Sequence, residues 1–210
     1  NGGSFGERFV RLCEIHEIPF TEIKLPFGNP LTEDALYKFT NQDYTGVVVQ
    51  LCETSSGVLY DMNLIGKFCT ENKCFLLVDA VSGFLADKVS MKESSINATI
   101  TGSQKALALP PSMSFTVLDS KAQERCLKNK VKSMYFDYKN YLKNGERGQT
   151  PFTPAVGTLF QLHEKLKRIE ENGGVVIQNK LIREKAEYFR KRILHLPLKI
   201  ISPITQHKNY

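Results

Sequence analysis

Two mainly apolar runs, each followed within two residues by an acidic residue, constrain the fold of this chain more than any other feature. They are Thr45 to Leu51 and Cys74 to Val78, and an amphipathic helical pattern that starts at Asp61 separates them. Strands buried on both faces are apolar throughout, whereas strands with one face in water alternate. The pattern therefore predicts an α/β fold, with a mainly parallel sheet and helices on both of its faces.

Weaker patterns predict the remaining elements. Further strands are expected at residues 20–25, 98–101, 113–118 and 197–201, and helices at residues 5–16, 156–169 and 176–194. In the first helix, Phe5, Phe9 and Leu12 recur at helical spacing, which places Arg8 on the opposite, polar face. Thr32, followed by two acidic residues, is typical of the N-cap of a short helix.

The composition excludes a membrane protein, a disulfide-stabilised miniprotein and a disordered chain. With 210 residues, 41% of them apolar, the chain can bury a core without disulfides or metals. Its longest apolar runs are far shorter than the roughly 20 residues of a membrane span. Five cysteines without a C-x-x-C pair are typical of a reducing compartment, so we expect a cytoplasmic protein without a metal site.

Charge is distributed unevenly along the chain. Residues 1–120 hold 9 Lys and Arg against 14 Asp and Glu, a net charge of −5, while residues 121–210 hold 19 against 8, a net charge of +11. Such asymmetry raises nucleic acid as a candidate partner. The basic residues of the second half, however, alternate with acidic and apolar residues at helical spacing. That arrangement favours solvated helix faces, so no nucleic-acid partner is expected.

Three polar clusters follow predicted strands, which is where open parallel sheets bind ligands. They lie at residues 53–57, at Asp79 and at residues 102–105. Pyridoxal phosphate needs an amine for its aldehyde, a carboxylate at its ring nitrogen and small polar groups around its phosphate. Lys105, Asp79 and the turn around Thr54 supply such groups. Taken singly, the aspartate is also typical of a helix N-cap, and the lysine of a surface residue with a partly covered stem.

Three motifs, in this order and spacing, resemble the class V pyridoxal-phosphate aminotransferases, and in particular the alanine–glyoxylate and serine–pyruvate aminotransferase branch. They are Cys52 to Leu59 (CETSSGVL), Leu77 to Ser82 (LVDAVS) and Thr101 to Ala106 (TGSQKA), and Asn1 to Arg8 and Thr150 to Pro154 match further family stretches. The resemblance implies a fold type I large domain at residues 1–195, with its N-terminal part upstream of Asn1. It also implies that residues 196–210 begin a smaller α+β C-terminal domain.

The resemblance implies a role in the cofactor site for each matching residue. Lys105 would carry the cofactor as a Schiff base and move the α-proton, and Asp79 would pair with the ring nitrogen, so these two are the expected catalytic residues. Val81 would pack on the ring face, Thr54 would bond the phenolic oxygen and Gln104 would reach the phosphate. The implied reaction moves an amino group from a small amino acid to a 2-oxo acid.

The resemblance also implies a homodimer, because in this family a neighbouring subunit contributes phosphate contacts. Here those contacts would come from Thr150 and Thr153. The alternative for Thr153, which precedes Pro154, is that it starts a helix. The family's phosphate loop and ring-stacking aromatic lie before Asn1, and its carboxylate-binding arginine lies in the C-terminal domain, for which Arg147 is a poor substitute.

Two other functions stay open from the sequence alone. The first is a lyase of the same fold and cofactor, similar to the cysteine desulfurases. Those relatives have a histidine before the lysine, whereas Gln104 stands there in this chain. The second is a non-catalytic α/β module that binds a phosphorylated ligand or a partner protein.

Overall fold

The computed structural model describes residues 1–202, which fold around a four-stranded sheet. Its strands are β1 (Gly46–Gln50), β4 (Phe75–Asp79), β5 (Ala98–Gly102) and β6 (Ser114–Leu118), in that spatial order, and β2 (Cys52–Glu53) and β3 (Val58–Leu59) form a separate hairpin. The first three strands of the sheet are parallel, and β6 is antiparallel to β5. The predicted α/β class and mainly parallel sheet are confirmed.

Seven helices surround these strands in the described part of the chain. They are α1 (Gly6–Ile15), α2 (Glu33–Tyr37), α3 (Met62–Glu71), α4 (Ser120–Lys128), α5 (Tyr138–Gly145), α6 (Val156–Glu171) and α7 (Gly174–Ile193). The predicted cap of α2 is confirmed, because the Thr32 hydroxyl accepts a hydrogen bond from the Ala35 amide at 3.3 Å. Asp61 caps α3 in the same way through the amides of Asn63 and Leu64.

The main core lies between α3 and the sheet. Ile65 and Phe68 of α3 and Leu76 and Val78 of β4 are almost completely buried in it. A second, smaller core joins Leu85, Leu107 and Ile169, which belong to the loop after β4, the loop after β5 and α6 respectively. The two cores therefore support the carboxyl ends of β4 and β5, where the polar clusters lie.

Two predicted strands are absent from the described structure. Residues 20–25 have the alternating pattern but form no strand. Their backbone pairs instead with Asn1, whose terminal amine donates to Ile23 O at 2.8 Å and whose carbonyl accepts from Leu25 N at 2.8 Å. Residues 197–201 also form no strand. A strand exists only when a neighbouring strand pairs with it, and apolar patterning cannot supply that partner. Residues 203–210 lie outside the described residues, so the domain boundary after residue 195 stays a prediction.

Within residues 1–202, no helix is long and apolar enough to cross a membrane. The same residues contain no group of three or more His, Cys, Asp or Glu side chains placed to hold a metal ion.

Candidate active site

A cavity of about 440 Å³ opens at the carboxyl ends of β1, β4 and β5, and five of the seven predicted site residues line it. Those five are Thr54, Asp79, Val81, Gln104 and Lys105. The sheet register explains why they meet: in the parallel ladders the last residue of β1 lies beside Asp79, and Asp79 lies beside Ile100 of β5. Polar residues that follow three neighbouring strands are thus brought to one edge.

Asp79 is the last residue of β4 and is partly buried. Its carboxylate accepts a hydrogen bond from the Val81 amide at 2.8 Å, so it also caps the turn that follows, as the alternative interpretation predicted. Burial raises the pKa of Asp79 above its ordinary value, although that hydrogen bond and the positive charge of Arg8 act in the opposite direction. A buried carboxylate of this kind favours a cationic or hydrogen-donating partner in the cavity.

Lys105 lies in the turn after β5, and its side chain is exposed where the cavity opens. The neighbouring apolar residues therefore do not bury it. The turn is shaped by Ser103, which is fully buried. Its hydroxyl donates to Pro110 O at 2.6 Å and accepts from the amides of Ser112 and Met113 at 3.3 and 3.2 Å. Ser103 thereby holds both ends of the loop that presents the lysine.

The remaining lining residues supply hydroxyl, amide and apolar surface. The hydroxyls of Thr54 and Ser82 hydrogen-bond to each other across the cavity wall. Val81 provides an apolar surface beside them, and Gln104 is exposed next to Lys105.

The structure does not bring Thr150 and Thr153 to this cavity within one chain. Both side chains are exposed, and the Thr150 hydroxyl donates to Phe152 O at 2.7 Å. The alternative interpretation of Thr153 as the residue that starts α6 receives no support from capping. The N-cap of α6 is Ala155, and no side chain caps that helix.

One wall of the cavity comes from α1, which the sequence analysis did not connect with the site. Phe5, Arg8, Phe9 and Leu12 all line it. Phe5, Phe9 and Leu12 lie on one side of α1 as predicted, and Arg8 is exposed as predicted, although it also lies beside the cavity. Its guanidinium stacks on the Phe5 ring, 4.4 Å from the ring centroid, and so remains at the cavity.

Glu53 attaches α1 to the hairpin of β2 and β3. The sequence analysis did not identify this structural role. It is completely buried, and its carboxylate accepts five hydrogen bonds. The donors are the amides of Phe5 (3.3 Å), Gly6 (2.9 Å) and Ser55 (3.1 Å), the Ser55 hydroxyl (2.6 Å) and the Gln50 side-chain amide.

Burial by itself would raise the pKa of Glu53, but the hydrogen bonds from Ser55, Gly6 and Gln50 outweigh burial and hold the pKa below its ordinary value. The ionised carboxylate therefore stabilises the start of α1, where free amides and the helix dipole favour negative charge. The sequence shows a glutamate shortly after an apolar run. It does not show that the amides of Gly6 and Phe5, 47 and 48 residues away along the chain, donate to this glutamate.

Comparison with solved structures identifies the fold. The chain superimposes on alanine–glyoxylate aminotransferase from Nostoc sp. with a TM-score of 0.85 and 22% sequence identity, over 95% of this chain and 54% of that one. The fold of this chain is thus that of the matched part of this solved structure. The family model for aminotransferase class V matches residues 11–209. The chain belongs to the class V aminotransferase family.

Two curated relatives match most of this chain at 30% identity. The soluble hydrogenase 42 kDa subunit of Anabaena cylindrica is 30% identical over 94% of this chain and 53% of its own length. The 2-aminoethylphosphonate–pyruvate transaminase of Pseudomonas aeruginosa is 30% identical over 82% of this chain and 47% of its own length. The chain therefore spans about half the length of the curated relatives it matches.

Proposed function

We propose that the protein containing this chain is a pyridoxal-phosphate-dependent aminotransferase that moves an amino group from a small amino acid to a 2-oxo acid. The observation that carries the proposal is the placement of Asp79 and Lys105 on one cavity, at the ends of neighbouring parallel strands. Membership of the class V family supports it. The choice of amino donor and acceptor is left to the experiment below.

The residues of the cavity fit pyridoxal phosphate. Lys105 offers an amine that can attach the aldehyde, and Asp79 offers a carboxylate for the ring nitrogen. Val81 offers an apolar surface for a ring face, and Thr54 offers a hydroxyl for the phenolic oxygen. Gln104 is the polar side chain that this chain offers to the phosphate of the cofactor. When bound, the cofactor supplies an electron sink that stabilises negative charge at the α-carbon of an amino acid.

The lining residues divide the remaining work. Lys105 carries the only amine among them, so we assign to its Nζ atom the removal and return of the substrate's α-proton. Asp79 would hold positive charge on the ring nitrogen. Burial raises the pKa of its carboxyl, and a cation beside it would favour the ionised form. Phe5, Phe9 and Leu12 add apolar surface to the cavity on the side of α1.

We further propose a homodimer in the cytoplasm. A cofactor site that takes Thr150 and Thr153 from a second copy must lend the same residues in return, which requires a twofold interface. Both side chains are exposed and available for such a contact. The opposite net charges of the two halves of the chain, −5 and +11, are consistent with the basic half of one copy lying beside the acidic half of the other.

The environment of Cys52 argues against the lyase alternative. A desulfurase needs a cysteine that reacts as a thiolate, and Cys52 is the one cysteine among the cavity-lining residues. Burial raises the pKa of its thiol to about 11, with the negative charges of Asp87 and Glu53 contributing. At neutral pH this thiol is almost entirely protonated, which disfavours attack on a substrate sulfur.

The decisive experiment uses the full-length protein with added pyridoxal phosphate. Borohydride reduction followed by peptide mass spectrometry should place the cofactor on Lys105, and Lys105→Ala should abolish both the adduct and keto-acid-dependent amino transfer. A panel of amino donors and 2-oxo acid acceptors then defines the substrates. Absence of any adduct would favour the non-catalytic module, and sulfide release from cysteine without a keto acid would favour the lyase.

A further inference from the structure

The loop of residues 80–87 follows Asp79. Backbone hydrogen bonds within the loop shape it, and contacts from other elements also keep it in place. It carries Val81 and Ser82 on the cavity wall. Backbone hydrogen bonds close two successive turns, from Gly83 and Phe84 to Ala80 O and from Ala86 and Asp87 to Gly83 O. Within the second turn, Leu85 has a φ of +63°, in the left-handed region that is unfavourable for a leucine. Such a conformation persists when surrounding contacts hold it in place.

The contacts that hold this loop come from α7. The side-chain amide of Asn179 donates a hydrogen bond to Leu85 O at 2.7 Å, across 94 residues of sequence. One helical turn further along, the Arg183 guanidinium pairs with the Asp87 carboxylate at 3.7 Å. Residues four apart share a face of a helix, so both contacts come from one face of α7. The Arg183 and Asp87 side chains are only 23% and 21% exposed, so water screens this pair less than it screens surface pairs.

The same loop is joined to the lysine loop through the second core. Leu85 is 4% exposed and packs with Leu107, which lies two residues after Lys105, and with Ile169 of α6. A displacement of Leu85 therefore moves the surface on which both cavity loops rest. Close-packed cores transmit such displacements because they contain little free volume.

We infer that Asn179 and Arg183 are positioning residues for the cofactor site, and that α7 sets the place of Val81 and Ser82 relative to Lys105. The inference rests on the proposed function, because it assigns these contacts to the geometry of a bound cofactor.

The test compares substitutions on the two sides of α7 in the full-length protein. Asn179→Ala and Arg183→Gln remove the loop contacts. Lys180→Ala and Lys185→Gln are the matched controls, since both lysines are exposed and the Lys180 side chain, 68% exposed, pairs only loosely with Glu184 at 4.0 Å. For each variant we would measure the dissociation constant for pyridoxal phosphate, the pH midpoint of the bound cofactor's visible absorption, and the melting temperature of the cofactor-free form.

Asn179→Ala and Arg183→Gln should each weaken cofactor binding about threefold to tenfold, the range expected for one hydrogen bond or partly buried ion pair. Both should also shift the pH midpoint, because a displaced Ser82 alters its hydrogen bond to Thr54 and so the hydroxyl offered to the phenolic oxygen of the cofactor. The charge-exchange pair Arg183→Asp with Asp87→Arg should restore the midpoint. The controls should leave both quantities unchanged.

A purely structural role gives a different pattern. In that case the loop variants lower the melting temperature, but at low temperature they bind the cofactor with the wild-type affinity and pH midpoint, and the inference is wrong. Failure of the proposed function is distinguishable, because then the wild-type protein itself gives no cofactor adduct on Lys105. If Asn179→Ala does not fold, Arg183→Gln and the charge-exchange pair decide the question.

Discussion

At the scale of single residues, the site combines two carboxylates, Glu53 and Asp79, whose environments shift their pKa values in opposite directions. Glu53 is ionised and supplied with five hydrogen bonds, whereas Asp79 has one backbone donor and a pKa raised by burial. Both follow apolar strands, and the sequence singled out only Asp79. The reason is physical: Asp79 stands in a motif whose neighbours are adjacent in the chain, whereas two of the five hydrogen bonds to Glu53 come from the amides of Phe5 and Gly6, which only the fold brings near.

Glu53→Gln should destabilise the protein by about 2 kcal/mol, since hydrogen bonds to a charged acceptor contribute about 1.5–3 kcal/mol and a neutral amide accepts them less well. The side chain keeps its size, so the loss reports the charge. Urea unfolding of the cofactor-free protein measures it. Glu124→Gln is the control: that exposed glutamate pairs with Lys128 on the surface of α4, and its loss should cost less than about 0.5 kcal/mol.

The same variant has a defined pH dependence. The folded-state pKa of Glu53 is depressed, so its stabilising contribution is complete above the unfolded-state pKa near 4.5 and is lost as pH falls toward the folded-state value. The difference in unfolding free energy between wild type and Glu53→Gln should therefore be larger at pH 6 than at pH 3.5. A difference that does not change with pH would show that charge is not what Glu53 contributes.

Asp79→Asn should have opposite effects on folding and on cofactor binding. The folded-state pKa of Asp79 is raised, so its charge costs stability at neutral pH, and this cost disappears as pH falls through the folded-state value. Removing the charge should therefore leave the cofactor-free protein at least as stable as wild type at pH 7. Binding of pyridoxal phosphate should weaken at least about tenfold, since a charge-assisted hydrogen bond is lost.

Chemical unfolding and cofactor titration of the same samples measure the two effects. Asp43→Asn, at an exposed aspartate away from the cavity, should change neither. If Asp79→Asn destabilises the cofactor-free protein and leaves cofactor binding intact, the aspartate serves only as the cap of the turn that begins at Val81.

At the scale of secondary structure, the close approach of α3 to the loop before β5 predicts how two helical glycines respond to substitution. A Cβ atom at Gly66 would lie 1.9 Å from the backbone oxygen of Ser94, whereas at Gly157 in α6 no atom lies within 4 Å of the added carbon. Gly66→Ala should therefore cost about 1–3 kcal/mol or more, because backbone must move apart. Gly157→Ala should gain about 0.5–1 kcal/mol, the usual preference of a helix for alanine. Thermal unfolding of both variants tests the pair, and equal changes would contradict it.

The elements that were predicted well are those whose pattern is local. The neighbouring parallel strands β1 and β4 were recognised from apolar runs, and α6 and α7 from helical patterns separated by Gly173 and Gly174. Residues 20–25 carry an equally clear alternation but form no strand, because strand formation also requires a partner. The hairpin of β2 and β3 was predicted only as a polar turn, since its strands are two residues long.

At the scale of the whole molecule, the described chain leaves large apolar side chains in water. Met134, Phe136, Phe160 and Val176 are each between 71% and 78% exposed. Exposed apolar surface of this kind marks a protein–protein interface when its members are contiguous. These four side chains are therefore candidates for an interface, and the proposed homodimer would be a way to cover them.

Mixed dimers test whether Thr153 acts across the interface. Consider a dimer of one Lys105→Ala chain and one Thr153→Ala chain. The Thr153→Ala chain keeps Lys105, and the site built on that lysine would receive Thr153 from the Lys105→Ala chain, where the threonine is unchanged. One site of wild-type composition should therefore form, with wild-type cofactor affinity, although each parent homodimer is defective: one lacks the lysine and the other retains the cofactor about tenfold less well. If Thr153 instead served its own chain, the same mixture would contain no complete site. Differently tagged chains, purified as heterodimers and titrated with pyridoxal phosphate, separate the two outcomes, and a fully loaded monomer in sedimentation would exclude the shared site altogether.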